Sequence, residues 1–196
     1  SKGDTVYVYN GTYYEHFGID KSLTLLGEDP NTTIIDGNGT GTVVSIHTYS
    51  ASVAGFTIKN SGDWPYQGMY IDGLSYGNIT KNNITNNGMG IRIDASANTN
   101  VVGNNITNNG QGIYFDSADN NNVFGNNIMA NKWEGIRLGG SSNNIIHGNN
   151  ITNNEYGVFI CPYSNIVIAN NIANNEYGVY VALTSNCIIY HNNFIH

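Results

Sequence analysis

Three aspartates recur at a fixed interval. Asp72, Asp94 and Asp116 close the lines GMYID, GIRID and GIYFD, 22 residues apart. Two residues before them stand Tyr70, Arg92 and Tyr114, and the next such line, GIRLG, carries Arg137. Paired carboxylates are the machinery of glycosidic-bond cleavage, with oxygens about 5–5.5 Å apart in retaining enzymes and about 6.5–9.5 Å in inverting ones. Carboxylates crowded together also raise one another's pKa or recruit a hard cation. Asp72, Asp94 and Asp116, beside Arg92 and Arg137, are therefore the catalytic candidates, provided residues 22 apart are brought side by side.

The repeat decides that. The second asparagine of each Asn pair falls at Asn83, Asn105, Asn127, Asn150, Asn171 and Asn193, so the steps are 22, 22, 23, 21 and 22. A fixed period of this size means stacked supersecondary units. No stretch of 10–15 residues carries a helical apolar stripe. The apolar residues come instead in about three short alternating runs per repeat, separated by Asn, Gly and Ser, which are strand and turn signals. Leucines are too few for a leucine-rich repeat. Three short strands per 22 residues predict an all-β fold, a right-handed single-stranded parallel β-helix whose coils pair at about 4.8 Å. Adjacent aspartates then fall near the retaining spacing, and alternate ones near the inverting spacing.

The chain of 196 residues is 40% apolar and only 11% charged, which suits one domain with a columnar core. Residues 1–60 form less regular opening coils and 61–196 the regular repeats. A net charge of −7 argues against nucleic acid as a partner, and no apolar run is long enough to span a membrane. No signal peptide is visible, no charged strand or helix caps either end, and the chain stops in mid-repeat at NNFIH. It is expected to be part of a longer chain, with open β-helix ends that invite self-association.

Asparagine tolerates the left-handed backbone of tight corners, and stacked asparagines hydrogen-bond along the stack. The pairs at 82/83, 104/105, 126/127, 149/150, 170/171 and 192/193 predict two such ladders. Glycosylation competes as an explanation, because acceptor motifs begin at Asn10, Asn31, Asn38, Asn78, Asn83, Asn105 and Asn150. Ladder positions such as Asn105 are expected to be inaccessible, and its replacement by Leu to disrupt a corner. Asn10, Asn31 and Asn38 are the better candidates.

Strand alternation sorts the faces. Met69, Ile91, Ile113, Ile136, Val158 and Val179 form one inward column, and Ile71, Ile93, Phe115, Leu138, Ile160 and Val181 another. The outward columns are Tyr70, Arg92, Tyr114, Arg137, Phe159 and Tyr180, and beside them Asp72, Asp94, Asp116, Gly139, Cys161 and Ala182. The preceding corner adds Trp64, Tyr66, Trp133, Glu134, Tyr156 and Tyr177. Two readings stand side by side. Aromatic and arginine side chains cover a β surface well. The same residues also suit a long, shallow carbohydrate-binding strip made of Tyr70, Arg92, Asp94, Tyr114, Asp116, Trp133, Arg137, Phe159 and Tyr180, with arginine favouring an acidic sugar such as a uronate. Active sites usually break a repeat. Only Lys132-Trp133-Glu134 and the Asp63–Gln67 loop do so, and neither is long enough to suggest a lid or cleft.

The NNIT-N-GI pattern resembles the repeats of the pectin-lyase-like superfamily, and most closely the carbohydrate-binding and sugar-hydrolysis (CASH) and NosD-like repeat proteins of archaeal-type surfaces. The opening stretch from Gly3 to Ile46 looks like the first coils of such domains. The resemblance implies a secreted or cell-surface scaffold with a polysaccharide or cell-surface glycan as partner. Its alternatives are a polysaccharide lyase or glycoside hydrolase acting on an acidic polysaccharide, a structural envelope protein, and a copper-handling protein. Lyases of similar fold use Ca²⁺ held by acidic residues with a basic proton acceptor. No other cofactor is expected. For copper, His16, His47, His147, His191 and His196 are scattered, and His147 lies two coils, about 10 Å, from the region of His191, so no metal site is expected. Cys161 and Cys187 fall in different columns, which disfavours a disulfide.

Overall fold

In the computed structural model, which describes residues 3–161, 163–182 and 186–195, the chain winds into three parallel sheets of nine, nine and eight strands. Each strand pairs with the strand three further along the chain, so one coil is three strands and nine coils are stacked. Among the described residues there is no helix, hence none long and apolar enough to cross a membrane. The offset between paired residues is 19 from Asp4 to Leu23, 28 from Leu23 to Ala51 and 26 from Ala51 to Gly77. It settles to 22 from Asn78 to Asn100.

Alternation fills the interior. Ile79, Val101, Val123, Ile146 and Val167 stack from the first sheet. Ile84, Ile106, Ile128, Ile151 and Ile172 stack from the second. The third sheet contributes both columns expected of it, led by Met69–Ile91–Ile113 and Ile71–Ile93–Phe115. All of these are buried, and only toward the last coils does a column member such as Val181 become exposed. Burying each large aliphatic side chain stabilises by about 1.5–3 kcal/mol.

The corners follow one rule. At most corners of the regular repeats a residue with positive φ is followed by a residue whose side chain hydrogen-bonds toward the interior. Lys81, Gly103, Gly125, Gly148, Ala169 and His191 take the left-handed conformation, each directly before Asn82, Asn104, Asn126, Asn149, Asn170 or Asn192. Asn104 illustrates the bonding. Its Oδ1 accepts from the backbone N–H and the side-chain amide of Asn82, at 3.0 and 3.2 Å. Its own amide donates to Ile79 O and Asn126 Oδ1. The corner's backbone polar groups, which cannot pair in a strand, are satisfied one coil away.

The two expected ladders are present, but they differ. The first asparagine of each pair is buried, apart from half-buried Asn192 in the last coil. The second is on the outside: Asn127 donates to Asn105, Asn150 to Asn127 and Asn171 to Asn150, each at 2.8 Å. Asn105 and Asn150 are exposed, so the expected inaccessibility of those positions is corrected. Strand alternation turns the residue after a buried one outward. Asn10, Asn31 and Asn38 are exposed too. Two further buried ladders went unforeseen. Asn87, Asn109, Asn131, Asn154 and Asn175 line one corner, and Asn121, Asn144 and Asn165 another.

In the opening coils, where the repeat is loose, Asp36 serves as a clamp. It accepts from Asn38 N–H and the Asn60 amide, both at 2.9 Å, and lies 3.3 Å from Lys59 Nζ. Burial pushes its carboxyl up, but these bonds outweigh burial and hold it below its ordinary value.

Two outcomes follow from these contacts. Asn104→Leu strands the backbone N–H of Asn82 and the carbonyl of Ile79 and should cost about 2–4 kcal/mol in urea unfolding, whereas Asn105→Leu should cost under about 1 kcal/mol. Because the folded pKa of Asp36 is depressed, its stabilisation is complete above about pH 4 and lost as pH falls through the lower folded value. Asp36→Asn should flatten that acid limb of the stability profile, measured by denaturant midpoints across the carboxylate range.

Candidate functional site

The outward face of the third sheet lies on six strands, from Gln67–Asp72 to Tyr177–Val181. Pairing places Tyr70, Arg92, Tyr114, Arg137, Phe159 and Tyr180 in one column, as the alternation predicted. Stacking makes it a sandwich of rings and guanidinium groups. The Arg92 carbon lies 5.9 Å from the Tyr70 ring centroid and 5.4 Å from that of Tyr114. Arg137 lies 5.5 Å from Tyr114 and 5.0 Å from Phe159. Phe159 stacks on Tyr180 at 5.1 Å, and His47 meets Tyr70 edge-on at 5.8 Å. The ring faces are therefore turned along the solenoid axis and largely covered, while the edges and hydroxyls face outward.

Asp72, Asp94 and Asp116 stand in register beside this column, and Gly139 ends the series. A Cβ at Gly139 would sit 3.0 Å from the Tyr114 ring, so the missing side chain makes room for that ring. Arg92 clamps two of the aspartates. Its Nε donates to Asp94 at 2.9 and 3.0 Å, and a terminal nitrogen lies 2.8 Å from Asp94 and 3.2 Å from Asp116. Tyr70 O–H donates to Asp94 at 3.2 Å. Asp72 instead faces His47, at 3.8 Å. Hydrogen bonding to Asp94 holds Arg92 above its ordinary pKa against an opposing effect of burial. Burial, then the neighbouring carboxylates, push the Tyr70 and Tyr114 phenols up. Over the physiological range these groups stay a cation and two neutral hydrogen-bonding hydroxyls.

Chemically, the guanidinium of Arg92 fills the space between Asp94 and Asp116 that a scissile bond would need. Arg137 is also committed. It bonds Glu134 at 2.8 Å, and Gln111 donates to the other oxygen of Glu134 at 2.8 Å. Glu134 is thus buried, not an outward corner group as its position suggested, because strand pairing sets it above Gln111. Gln111 Oε1 and Arg137 Nε are buried without partners. Both arginines of the face being paired, neither offers an open charge to a uronate. The most accessible polar groups are Asp72, held only by its 3.8 Å contact with exposed His47, and the Tyr114 hydroxyl, which makes no hydrogen bond among the described residues.

The preceding corner holds two arrangements. Tyr156 stacks on Tyr177 at 4.8 Å, and both meet Tyr180 edge-on. Further back, the two interruptions of the repeat come together. The loop with Asp63 and Trp64, and the insertion at Lys132 and Trp133, border a cleft of about 470 Å³ floored by Gly88 and Gly110. Short interruptions suffice to make a cleft because they meet across the stack, a proximity that the sequence spacing of 69 residues from Trp64 to Trp133 hides.

The remaining candidates are dispersed. His16 Nδ1 donates to Thr42 O at 2.8 Å, His147 stacks on Phe124 at 4.5 Å and bonds Asn122, and His191 packs against Tyr190. His196 lies outside the described residues. Among the described residues no three His, Cys, Asp or Glu side chains converge.

A family model described as "Periplasmic copper-binding protein (NosD)" matches residues 1–196. No curated protein matches the sequence. Among solved structures, the periplasmic alginate epimerase AlgG is similar with a TM-score of 0.72 at 20% identity, over 97% of this chain and 47% of that one. The Dettilon tailspike protein (gp208) is similar with a TM-score of 0.61 at 18% identity, over 98% and 54%. Pectin methylesterase PemA from Erwinia chrysanthemi gives 0.62 at 11% identity, over 99% and 81%. The chain spans about half the length of the epimerase. At these identities the likeness is one of fold.

The clamp predicts a coupled loss. Arg92→Met should destabilise by about 1–3 kcal/mol, since Asp94 loses its counter-charge. The double variant Arg92→Met/Asp94→Asn should cost less than the sum of the two single changes in urea unfolding.

Proposed function

Since the chain belongs to the NosD family, whose model it matches along its whole length, we propose that it is an exported β-helix scaffold that binds a polysaccharide along the outward face of its third sheet. The observation that carries this reading is the face itself. Six stacked positions, five coil rises of about 4.8 Å or about 24 Å in all, present the edges of three phenols and one phenyl ring interleaved with two paired arginines, and carboxylates flank the first three. A long, shallow, regular strip matches a polymer better than a small molecule, which a concave pocket would enclose. Periplasmic and polysaccharide-acting neighbours of the same fold support export and the ligand class.

The open groups choose the sugar. With Arg92 and Arg137 already paired to carboxylates, the face carries more acidic than basic groups, and it suits a neutral, hydroxyl-rich glycan. Asp72 accepts hydroxyl protons, and the Tyr114 hydroxyl donates and accepts. Such binding changes little with ionic strength, unlike the capture of a polyanion.

Two rivals fare less well. A lyase or hydrolase needs a free pair of carboxylates or a Ca²⁺ site, and Arg92 stands between the best pair. Copper requires convergent imidazole or sulfur ligands. The described histidines sit on separate coils with protein partners of their own, so the residues do not fit a copper centre. We also propose that the isolated chain associates end to end, because its last described strands expose Ile188, Phe194 and Ile195. A strictly monomeric species at high concentration by light scattering would overturn this association.

The test is affinity electrophoresis against neutral glucan, xylan and mannan, with alginate and polygalacturonate as acidic counterparts, alongside an assay for released reducing or unsaturated ends. Retardation by a neutral polymer, weakened several-fold by Tyr114→Phe and by Asp72→Asn with the fold retained, is expected. Turnover that Asp94→Asn abolishes while binding persists would establish the enzyme instead.

A further inference from the structure

Flat ring faces are what aromatic side chains offer to the apolar face of a sugar ring. On the third-sheet column those faces are occupied, by guanidinium groups or by one another. The column can hydrogen-bond a glycan with its edges but has little to stack. The stacking surface has to be elsewhere, and the chain's only two tryptophans mark one place. Trp64 is 61% exposed and has no ring or cation partner among the described residues. Trp133 is half-buried, and among the described residues its one cation or ring partner is Lys132 Nζ, at 5.1 Å.

Both come from the two interruptions of the repeat, at the same corner, three coils apart, about 14 Å at about 4.8 Å per coil. Between them the floor is glycine. A Cβ on Gly88 would lie 2.7 Å from the backbone of Asp63 and Trp64, and a Cβ on Gly110 would lie 3.1 Å from the Trp133 ring. Each glycine therefore supports one wall. The same corner on later coils carries the side chains of Glu155 and Glu176, so the bare floor ends at the Trp133 wall. Lys132 arises from a local extra residue: the ladder steps 22 from Asn109 to Asn131 and 23 from Asn131 to Asn154. Asp63 and Lys132 are exposed at opposite walls and make no ion pair among the described residues.

We propose that this cleft is a sugar-stacking subsite, taking a short neutral segment of a polysaccharide chain between the indoles of Trp64 and Trp133, with Asp63 and Lys132 bonding its hydroxyls. The proposal rests on the polysaccharide reading above and adds where the affinity resides. Lys132, which rests against the Trp133 ring, and Asp63 make no ion pair among the described residues and balance in charge, which selects a neutral segment over a uronate. The cleft lies at the corner where the third-sheet strands begin, so one chain laid along the axis reaches both the stacking walls and the edge groups of the column.

Because both tryptophans line the cleft, tryptophan emission reports it without labelling. Titration of the full chain with soluble neutral glucan, xylan and mannan should quench or shift the emission, saturating at the concentrations that retard the protein in affinity electrophoresis. Trp64→Ala, a change at an exposed loop, should leave the unfolding midpoint nearly unchanged and weaken binding about tenfold or more, equivalent to about 1.4 kcal/mol. Trp133→Phe, which keeps an aromatic face, should weaken it less than Trp133→Ala does. If a neutral polymer binds, and Tyr114→Phe weakens it, while emission is unmoved and Trp64→Ala binds like the parent, the subsite is wrong and the polysaccharide reading survives. If no polymer of the set binds, both fall. If only alginate or polygalacturonate binds and moves the emission, the neutral specificity is overturned.

Discussion

Everything in this chain depends on one constraint: each coil lies about 4.8 Å from the next, so every residue is covered by its equivalent one repeat later. At the corners the backbone leaves the sheets, and its N–H and C=O groups face the interior. Left unpaired there, each would cost about 1–3 kcal/mol. Asparagine meets the constraint because one side chain both donates and accepts and has the reach to bridge adjacent coils. In the buried ladder through Asn82, Asn104 and Asn126, each residue completes the corner of the coil before it. The left-handed residue before it turns the chain so that the amide points inward. The left-handed residue, often Gly before this ladder and Asn before the one that begins at Asn87, and the Asn that follows are a single device.

The same constraint governs the outside, with the opposite difficulty. Stacking like on like would pile charge on charge. The third-sheet column avoids this by alternating tyrosine with arginine, so each cation lies between rings, and by giving the aspartate row a shared guanidinium. Such contacts are worth about 0.5–2 kcal/mol each where water is partly excluded. Their chemical consequence is larger than their energy. They remove the arginines and the ring faces from the list of groups a ligand can reach, and leave edges, hydroxyls and Asp72.

Stability in such a solenoid is close to a sum over neighbouring coils, so regular coils have little freedom to depart from the pattern. Function is more easily placed where the pattern is interrupted. The Asp63–Tyr66 loop and the extra residue at Lys132 are small departures, yet stacking brings them to one corner and leaves glycine between them. The geometry of a repeat thus converts two distant irregularities into one cleft.

The period, the three strands per coil and the identity of both inward columns of the third sheet were legible in the sequence, because alternation and a 22-residue spacing admit one stacked arrangement. The outward columns followed from the same register. What the sequence could not decide was which atoms of those columns remain free. Arg92 and Arg137 look like open cations in a line of text, and only packing shows them held between rings and bonded to Asp94, Asp116 and Glu134. Periodicity marks position and not partner, so Asn104 and Asn105 read alike although one is buried and the other exposed. The ladder beginning at Asn87 was hidden for a related reason, since its residues follow turn asparagines and look like more of the same. The cleft between Trp64 and Trp133 depends on contacts across three coils, and proximity of that kind exists only once the chain is wound.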